Sequence, residues 1–230
     1  MLTAGRLGTP RVHLRTVDST NRYARALAEA GAPHGTLVTA TAQTAGRGRQ
    51  GRSWSAPPGR ALVLSIVLRD PSLLLPLIAA AAVADVAGDD ALVKWPNDVL
   101  VGGRKVAGIL AEGRPQERWA VLGMGVNVAV RPADLPPELR ETAGTLGLPA
   151  RELEPTLERL LTALERWLVA PDAEVLATLR ARDALAGRPV RWHGGTGTAR
   201  GIDDEGRLLV ERPSGERVAL DAGEVHLAHA

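Results

Sequence analysis

An α+β fold is predicted for this chain: a mixed, mainly antiparallel sheet with flanking helices over residues 1–185, then a small β-barrel over 186–230. Three observations predict it. Strand candidates follow one another over residues 92–130 with only turns between them. The Gly102-Gly103 pair makes a hairpin between the first two. From Gly187 the texture changes to short β-prone pieces divided by Gly and Asp turns.

In chain order, residues 12–14 form a short strand. Asp18-Ser19-Thr20-Asn21 offers side-chain oxygens able to cap a helix running through Tyr23, Leu27 and Glu29, which Gly31 ends. Residues 36–44 are β-branched and extended. A Gly/Arg loop follows, and 61–68 is a continuous apolar strand of the buried kind. Residues 71–86 read as a buried helix. The three successive strands are 92–101, 105–112 and 119–130. Residues 131–149, punctuated by Pro and Gly, are expected to be a mobile loop; 153–167 and 173–185 are amphipathic helices. The barrel strands are 190–193, 199–202, 208–211, 217–220 and 225–227. With no low-complexity linker ahead of it, the barrel is expected to pack directly on the core.

Composition narrows the function classes. The 230 residues suffice for a full enzyme. No apolar run reaches the roughly 18–20 residues of a membrane span; the longest, 73–84, is broken by Pro76. Residues 1–11 lack an apolar signal core and the chain has no cysteine, so a soluble, cytoplasmic protein is expected. The same lack removes thiolate catalysis, iron–sulfur ligation and the usual structural zinc sites, so any metal is expected to arrive with a nucleotide. A formal charge of +2 implies no general affinity for nucleic acid. The basic residues are almost all Arg. Lys94 and Lys105 are the only lysines, and Asn21, Asn97 and Asn127 the only asparagines. A chain that writes Arg for a generic cation and Lys twice suggests a need for a compact, rotatable ammonium.

Gln43 to Arg52 lies inside residues 39–69, a stretch without an acid. Its glycines let backbone N–H groups approach an anion, and Arg47, Arg49 and Arg52 offer bidentate donors to carboxylate or phosphate. Taken alone, such a loop is as readily a solvated basic turn or a nucleic-acid phosphate contact. Gly46 to Gly51 also fits the spacing G-x-G-x-x-G, but Ser53-Trp54-Ser55-Ala56-Pro57-Pro58-Gly59 cannot easily supply the helix that a dinucleotide site requires. Lys94-Trp95-Pro96-Asn97-Asp98 precedes the Gly-Gly hairpin, and Arg104 to Leu110 lies on its return strand. A lysine pointing into the core needs a partner, and a bound anion is expected rather than a protein carboxylate, leaving Asp98 for magnesium or an amine. An exposed lysine in a salt bridge is the ordinary alternative. Gly123-Met124-Gly125-Val126-Asn127 interrupts an apolar strand with two glycines and an amide, which suits close approach of a nucleotide base read by Asn127, or else a bulge with a satisfied core Asn.

These motifs in this order, Ser19-Thr20-Asn21, Gln43 through Arg52 with Trp54, Lys94 through Asp98, Arg104 through Leu110, and Gly123 to Asn127, closely resemble the catalytic core of biotin protein ligases. The resemblance covers nearly the whole chain. It implies a class II aminoacyl-tRNA-synthetase-like catalytic core of the biotin–lipoate ligase kind and an SH3-like C-terminal barrel. It implies two half-reactions, in which biotin and Mg-ATP give biotinyl-5′-AMP and pyrophosphate, and a lysine of a biotin carboxyl carrier protein then takes the biotinyl group. On this likeness Ser19, Thr20, Asn21, Gln43, Arg47, Gly48, Arg49, Lys105 and Gly108 bind biotin, while Arg49, Arg52, Trp54, Lys94, Asn97 and Asn127 bind the nucleotide. Lys105 is the principal catalytic cation, with Arg47 and Asp98 beside it, and Asp98 binds Mg2+ or receives the incoming ammonium. The Gln43–Trp54 loop becomes a lid. The motifs begin so close to Met1 that no winged helix-turn-helix fits ahead of them, so the monofunctional form is expected, with neither specific DNA binding nor repression. Members differ in assembly, which leaves a homodimer open. The Arg-Arg plus triple-glycine pattern of lipoate or octanoate ligases is not seen. A biotin-sensing or nucleic-acid-binding module would not need Lys105, Asp98 and Asn127.

Overall fold

The computed structural model describes residues 6–114, 117–221, 223 and 225–227. The expected stretch before residue 6 and the tail after 227 lie outside them. Seven strands form the larger sheet: β1 (Arg11–Val17), β2 (Leu37–Gln43), β3 (Leu62–Arg69), β4 (Leu92–Lys94), β5 (Asp98–Val101), β6 (Arg104–Arg114) and β7 (Trp119–Val126). Their spatial order is β1-β2-β3-β7-β6-β5-β4. β1 and β2 run parallel and every other neighbouring pair antiparallel, the mixed sheet that the sequence predicts.

Alternation along β3 sorts the two faces of this sheet. Leu62, Leu64, Ile66 and Leu68 enter the main core with helix α2 (Leu75–Ala87) and with Leu157, Leu160 and Leu164 of helix α3 (Leu153–Val169). α2 is apolar on nearly every side, with Asp85 its one charged residue, because it lies between the sheet and α3. Each fully buried leucine contributes about 1.5–3 kcal/mol. Val67 points the other way, into a smaller core with Val38, Trp119, Val121 and Ala24 and Ala28 of helix α1 (Thr20–Glu29). Thr20, Ala24 and Ala28 recur every fourth residue, so one stripe packs on the sheet. The small alanines let α1 lie close, and that closeness carries Thr20 and Asn21 onto β3 and β7.

Several boundaries differ from the expectation. Residues 92–101 are two strands, β4 and β5, paired in a hairpin of their own with Lys94 opposite Asp98 and a cis Trp95–Pro96 peptide between them. Trp95-Pro96-Asn97 makes the turn, since Pro96 supplies no N–H for a continuous ladder. β7 stops at Val126, where Leu146 and Leu148 take over hydrogen bonding to Asn127 and Val128. Helix α4 (Asp172–Ala181) ends before residue 185, since the backbone of Arg182 and Ala184 bonds Val93 instead. Ser19 stands at the N-terminus of α1 without a side-chain cap; Gln43 Oε1 of β2 accepts from the Thr20 N–H at 2.7 Å. Residues 131–149 hold two short 3-10 turns, Pro132–Asp134 and Pro137–Leu139, and lie against the sheet through Lys105 N–H to Thr142 O and Gly144 N–H to Lys105 O.

The C-terminal strands β8 (Pro189–Trp192), β9 (Gly195–Ile202), β10 (Leu208–Glu211), β11 (Arg217–Leu220) and β12 (His226–Leu227) form an antiparallel sheet in the order β11-β10-β9-β8-β12. Among the described residues β11 and β12 do not pair, and the unit is a five-stranded antiparallel sheet. Direct packing on the core holds: Val190, Ala199, Ile202, Leu208 and Val210 join the main core, and the Trp95 indole N–H donates to Gly206 O at 2.9 Å.

Candidate active site

A cleft opens on the α1 face of the large sheet, floored by β3, β6 and β7 and walled by α1, the Gly/Arg loop and the β4–β5 turn. At one end the polar residues of α1 meet Ser65, the one polar residue of β3's buried run. Ser65 Oγ is 2.9 Å from Thr20 Oγ1 and 2.6 Å from Asn21 Oδ1; Thr20 Oγ1 donates to Gln43 Oε1 at 3.0 Å. Ser19, Thr20, Asn21 and Ser65 are all buried. Unpaired, Thr20, Asn21 and Ser65 would cost roughly 1–3 kcal/mol each, and this network is what makes their burial tolerable.

The loop is a compact turn. Trp54 N–H donates to Gly46 O at 2.9 Å, Gly48 N–H to Arg52 O at 2.7 Å, and Arg47 bridges Ser53. A side chain at Gly46 would collide with Trp54 O and Gln43 Nε2. After Gly48 comes one 3-10 turn, Arg49–Gly51, with Gln50 and Gly51 in the left-handed region, and then extended chain. No helix opens there, which bears out rejection of the dinucleotide reading. Arg47 Nη1 lies 3.2 Å from Glu112 Oε1, and Arg49 Nη1 donates to Asn97 Oδ1 at 3.2 Å.

Trp54 folds back so that its indole lies over Gly125 and Gly108, whose missing side chains make room for it. Asn21 sits over Gly123 in the same way. The space over the strand glycines is occupied by the protein's own Trp54 and Asn21 side chains. The Trp54 indole N–H is buried without a partner.

Lys105 reaches the cleft through a bulge. In the β5–β6 ladder Val99 faces Ala107 but Leu100 faces Lys105, leaving Val106 as the extra residue, fully buried in the core. The slip of one reverses side-chain parity, so Lys105 shares the cleft face with Gly108 and Asp98. Lys105 Nζ lies 2.7 Å from Asp98 Oδ1 and 5.7 Å from the centroid of the Trp54 ring. The lysine's partner is thus a protein carboxylate, contrary to the expectation of a bound anion alone. Two strands deliver opposite charges to one spot, and neither is deep enough for desolvation to forbid it.

Every expected site residue except Asn127 lines this cleft, including Arg52 and Lys94. Asn127 is buried beside it, its Nδ2 donating to Gly144 O at 2.9 Å while its Oδ1 has no partner. Ser65, Glu112, Val225 and His226 were not anticipated. Ser65 was visible as the polar outlier in an apolar strand. Val225 and His226 come from the C-terminal sheet and no local pattern marks them. Among the described residues, no three His, Cys, Asp or Glu side chains gather to hold a metal ion, and no helix is long and apolar enough to cross a membrane.

With this geometry in view, residues 13–128 match the Biotin/lipoate A/B protein ligase family and 187–227 the Biotin protein ligase C terminal domain. The chain is 37% identical over 229 residues to the biotin--[acetyl-CoA-carboxylase] ligase of Mycobacterium tuberculosis, covering 90% of this chain and 85% of the relative. It is 36% identical over 232 residues to the bifunctional ligase/repressor BirA of Bacillus subtilis, covering 91% and 71%. Biotin protein ligase from Aquifex aeolicus, solved in complex with biotin and ATP, matches with a TM-score of 0.79 and 28% identity over 96% of this chain and 99% of that one. This chain belongs to the Biotin/lipoate A/B protein ligase family. The match of its C-terminal sheet places it on the biotin protein ligase branch.

Proposed function

We propose that the protein activates biotin with Mg-ATP as biotinyl-5′-AMP, releasing pyrophosphate, and passes the biotinyl group to a lysine of a biotin carboxyl carrier protein, releasing AMP. The observation that carries this is Lys105, turned by the bulge onto a cleft face between a polar pocket and an arginine loop. Carboxylate and α-phosphate repel each other, and a preplaced ammonium lowers the barrier to their approach. The carboxylate oxygen attacks phosphorus and the P–O bond to pyrophosphate breaks. In the second step the neutral lysine amine attacks the acyl carbon, the C–O bond breaks and AMP leaves with the bonding pair, and the nitrogen loses one proton to solvent as the amide forms.

Ser19, Thr20, Asn21 and Gln43 form the neutral hydrogen-bonding end suited to biotin's ring system, with Gly48, Gly108, Arg47 and Arg49 toward its carboxylate. Arg49, Arg52, Lys94 and Asn97 suit the phosphates, and Trp54 the nucleotide's base. The unsatisfied Oδ1 of Asn127 suits an adenine amino group. Asp98 holds Lys105 until substrates arrive and is then available to nucleotide-borne Mg2+ or to the acceptor ammonium. The C-terminal unit, read as an SH3-like barrel over 186–230 beside a catalytic domain of 1–185, supplies Val225 and His226 to the cleft. The proposal extends to ligase activity only. Its test is mass spectrometry of a biotin carboxyl carrier domain incubated with this protein, biotin and Mg-ATP: a biotin-sized gain is expected, and an unchanged carrier overturns the reading.

A further inference from the structure

Glu112 lies behind the cleft at the far end of β6 from Lys105, and it is bonded on both sides. Its Oε2 accepts from Asn21 Nδ2 at 2.9 Å, and its Oε1 faces Arg47 Nη1 at 3.2 Å. An Asn amide has two orientations, and its neighbours decide between them. Ser65 Oγ, 2.6 Å from Asn21 Oδ1, can donate or accept, so it does not choose. Leu110 O and the Glu112 carboxylate only accept. Leu110 O is at 3.3 Å, whereas the bond to Glu112 is shorter and charge-assisted. Glu112 is therefore the group that turns the NH2 of Asn21 outward and its Oδ1 toward Ser65 and the cleft.

We propose that Glu112 is a positioning residue for the ligand end of the cleft: by fixing the Asn21 amide it presents an acceptor to N–H donors of the bound ring. This rests on reading the cleft as the biotin site. The second link, to Arg47, serves a different purpose. The Arg47 side chain is 50% exposed, so its ion pair is screened and readily exchanged. Because the two links use separate oxygens, Arg47 can leave for an anionic ligand without releasing Asn21. Without Glu112 only the longer bond to Leu110 O at 3.3 Å restrains the amide, and the flipped orientation sets an NH2 donor against the ligand's own donors.

The test compares Glu112→Leu and Glu112→Gln with the native protein by biotin-dependent pyrophosphate exchange, by calorimetric titration with biotin alone, and by thermal melting. Glu112→Leu is expected to raise the KM and Kd for biotin about 10-fold, the effect of one lost hydrogen bond. kcat and the KM for ATP should stay within about twofold, as for a residue that affects only ground-state binding. Glu112→Gln restores an acceptor and should recover biotin affinity to within about threefold, a rescue that a merely structural role would not show. Should the Leu variant fail to fold, Glu112→Ala removes the acceptor without added bulk and is held to the same expectation. Unchanged biotin affinity in a folded Leu or Ala variant overturns the proposal, as does a fall in kcat with KM unmoved. If the native protein catalyses no exchange, the ligase reading fails instead, and the titration with biotin still decides the role of Glu112.

Discussion

Lys105 Nζ lies 2.7 Å from Asp98 Oδ1 across the β5–β6 ladder, on the cleft face and over the Trp54 ring, 5.7 Å from its centroid. Their side chains are 35% and 19% exposed, so the pair keeps contact with water while the ammonium is held in register with the cleft. An isolated pair this exposed adds little stability. What it contributes is placement, since the only other lysine, Lys94, sits opposite Asp98 on the far strand of the hairpin.

Lys105→Ala should lower biotin-dependent pyrophosphate exchange by roughly 10²–10³-fold, the scale for removing one preorganised charge-stabilising donor. Lys105→Arg should not rescue it, because a broad planar guanidinium does not reproduce the compact ammonium that sits 2.7 Å from Asp98 Oδ1. Near-native exchange in the Ala variant would remove Lys105 from the chemistry. Melting curves should hardly move.

Gly123→Ala should weaken biotin binding, because the new methyl would land on the Asn21 amide and push it from its bonds to Ser65 and Glu112. A rise in biotin Kd of about tenfold or more is expected, by the loss of at least one hydrogen bond. Native affinity in this variant would mean that Asn21 has no part in binding.

Trp95→Phe tests the seam between the two sheets. It removes the indole donor to Gly206 O and leaves that carbonyl unsatisfied in a buried place, at about 1–3 kcal/mol. Denaturant unfolding should show the loss. If stability is unchanged, water reaches the seam and the contact is not a structural one.

Asp183 offers a test in pH. Burial pushes its carboxyl above the ordinary value, although the Leu185 N–H bonds one oxygen at 2.8 Å; the other oxygen has no partner. With the folded pKa raised, the folded state binds more protons between the two pKa values, so stability falls as pH rises through that window. Asp183→Asn should therefore stabilise the protein at neutral pH, and the difference in melting temperature should shrink to nothing as the pH drops below the ordinary carboxylate range. A gap that is the same at every pH would exclude ionisation as its cause.

The class of the fold, the order of its main elements and nearly all the residues lining the cleft were legible in the chain. Those features are local: apolar periodicity marks β3 and α2, and lysines or asparagines used sparingly mark themselves. What could not be read was relational. The bulge at Val106 depends on β5 meeting β6 out of step, and it alone decides that Lys105 faces Asp98 rather than the core. Gln43 caps α1, Trp54 fills the space over Gly108 and Gly125, and Glu112 holds Asn21, each a contact between residues more than 20 apart. A sequence displays which groups a chain owns because side-chain chemistry belongs to single residues. Which of them face one another is set by strand register and by how closely α1 lies on the sheet, and these exist only once the whole core has packed.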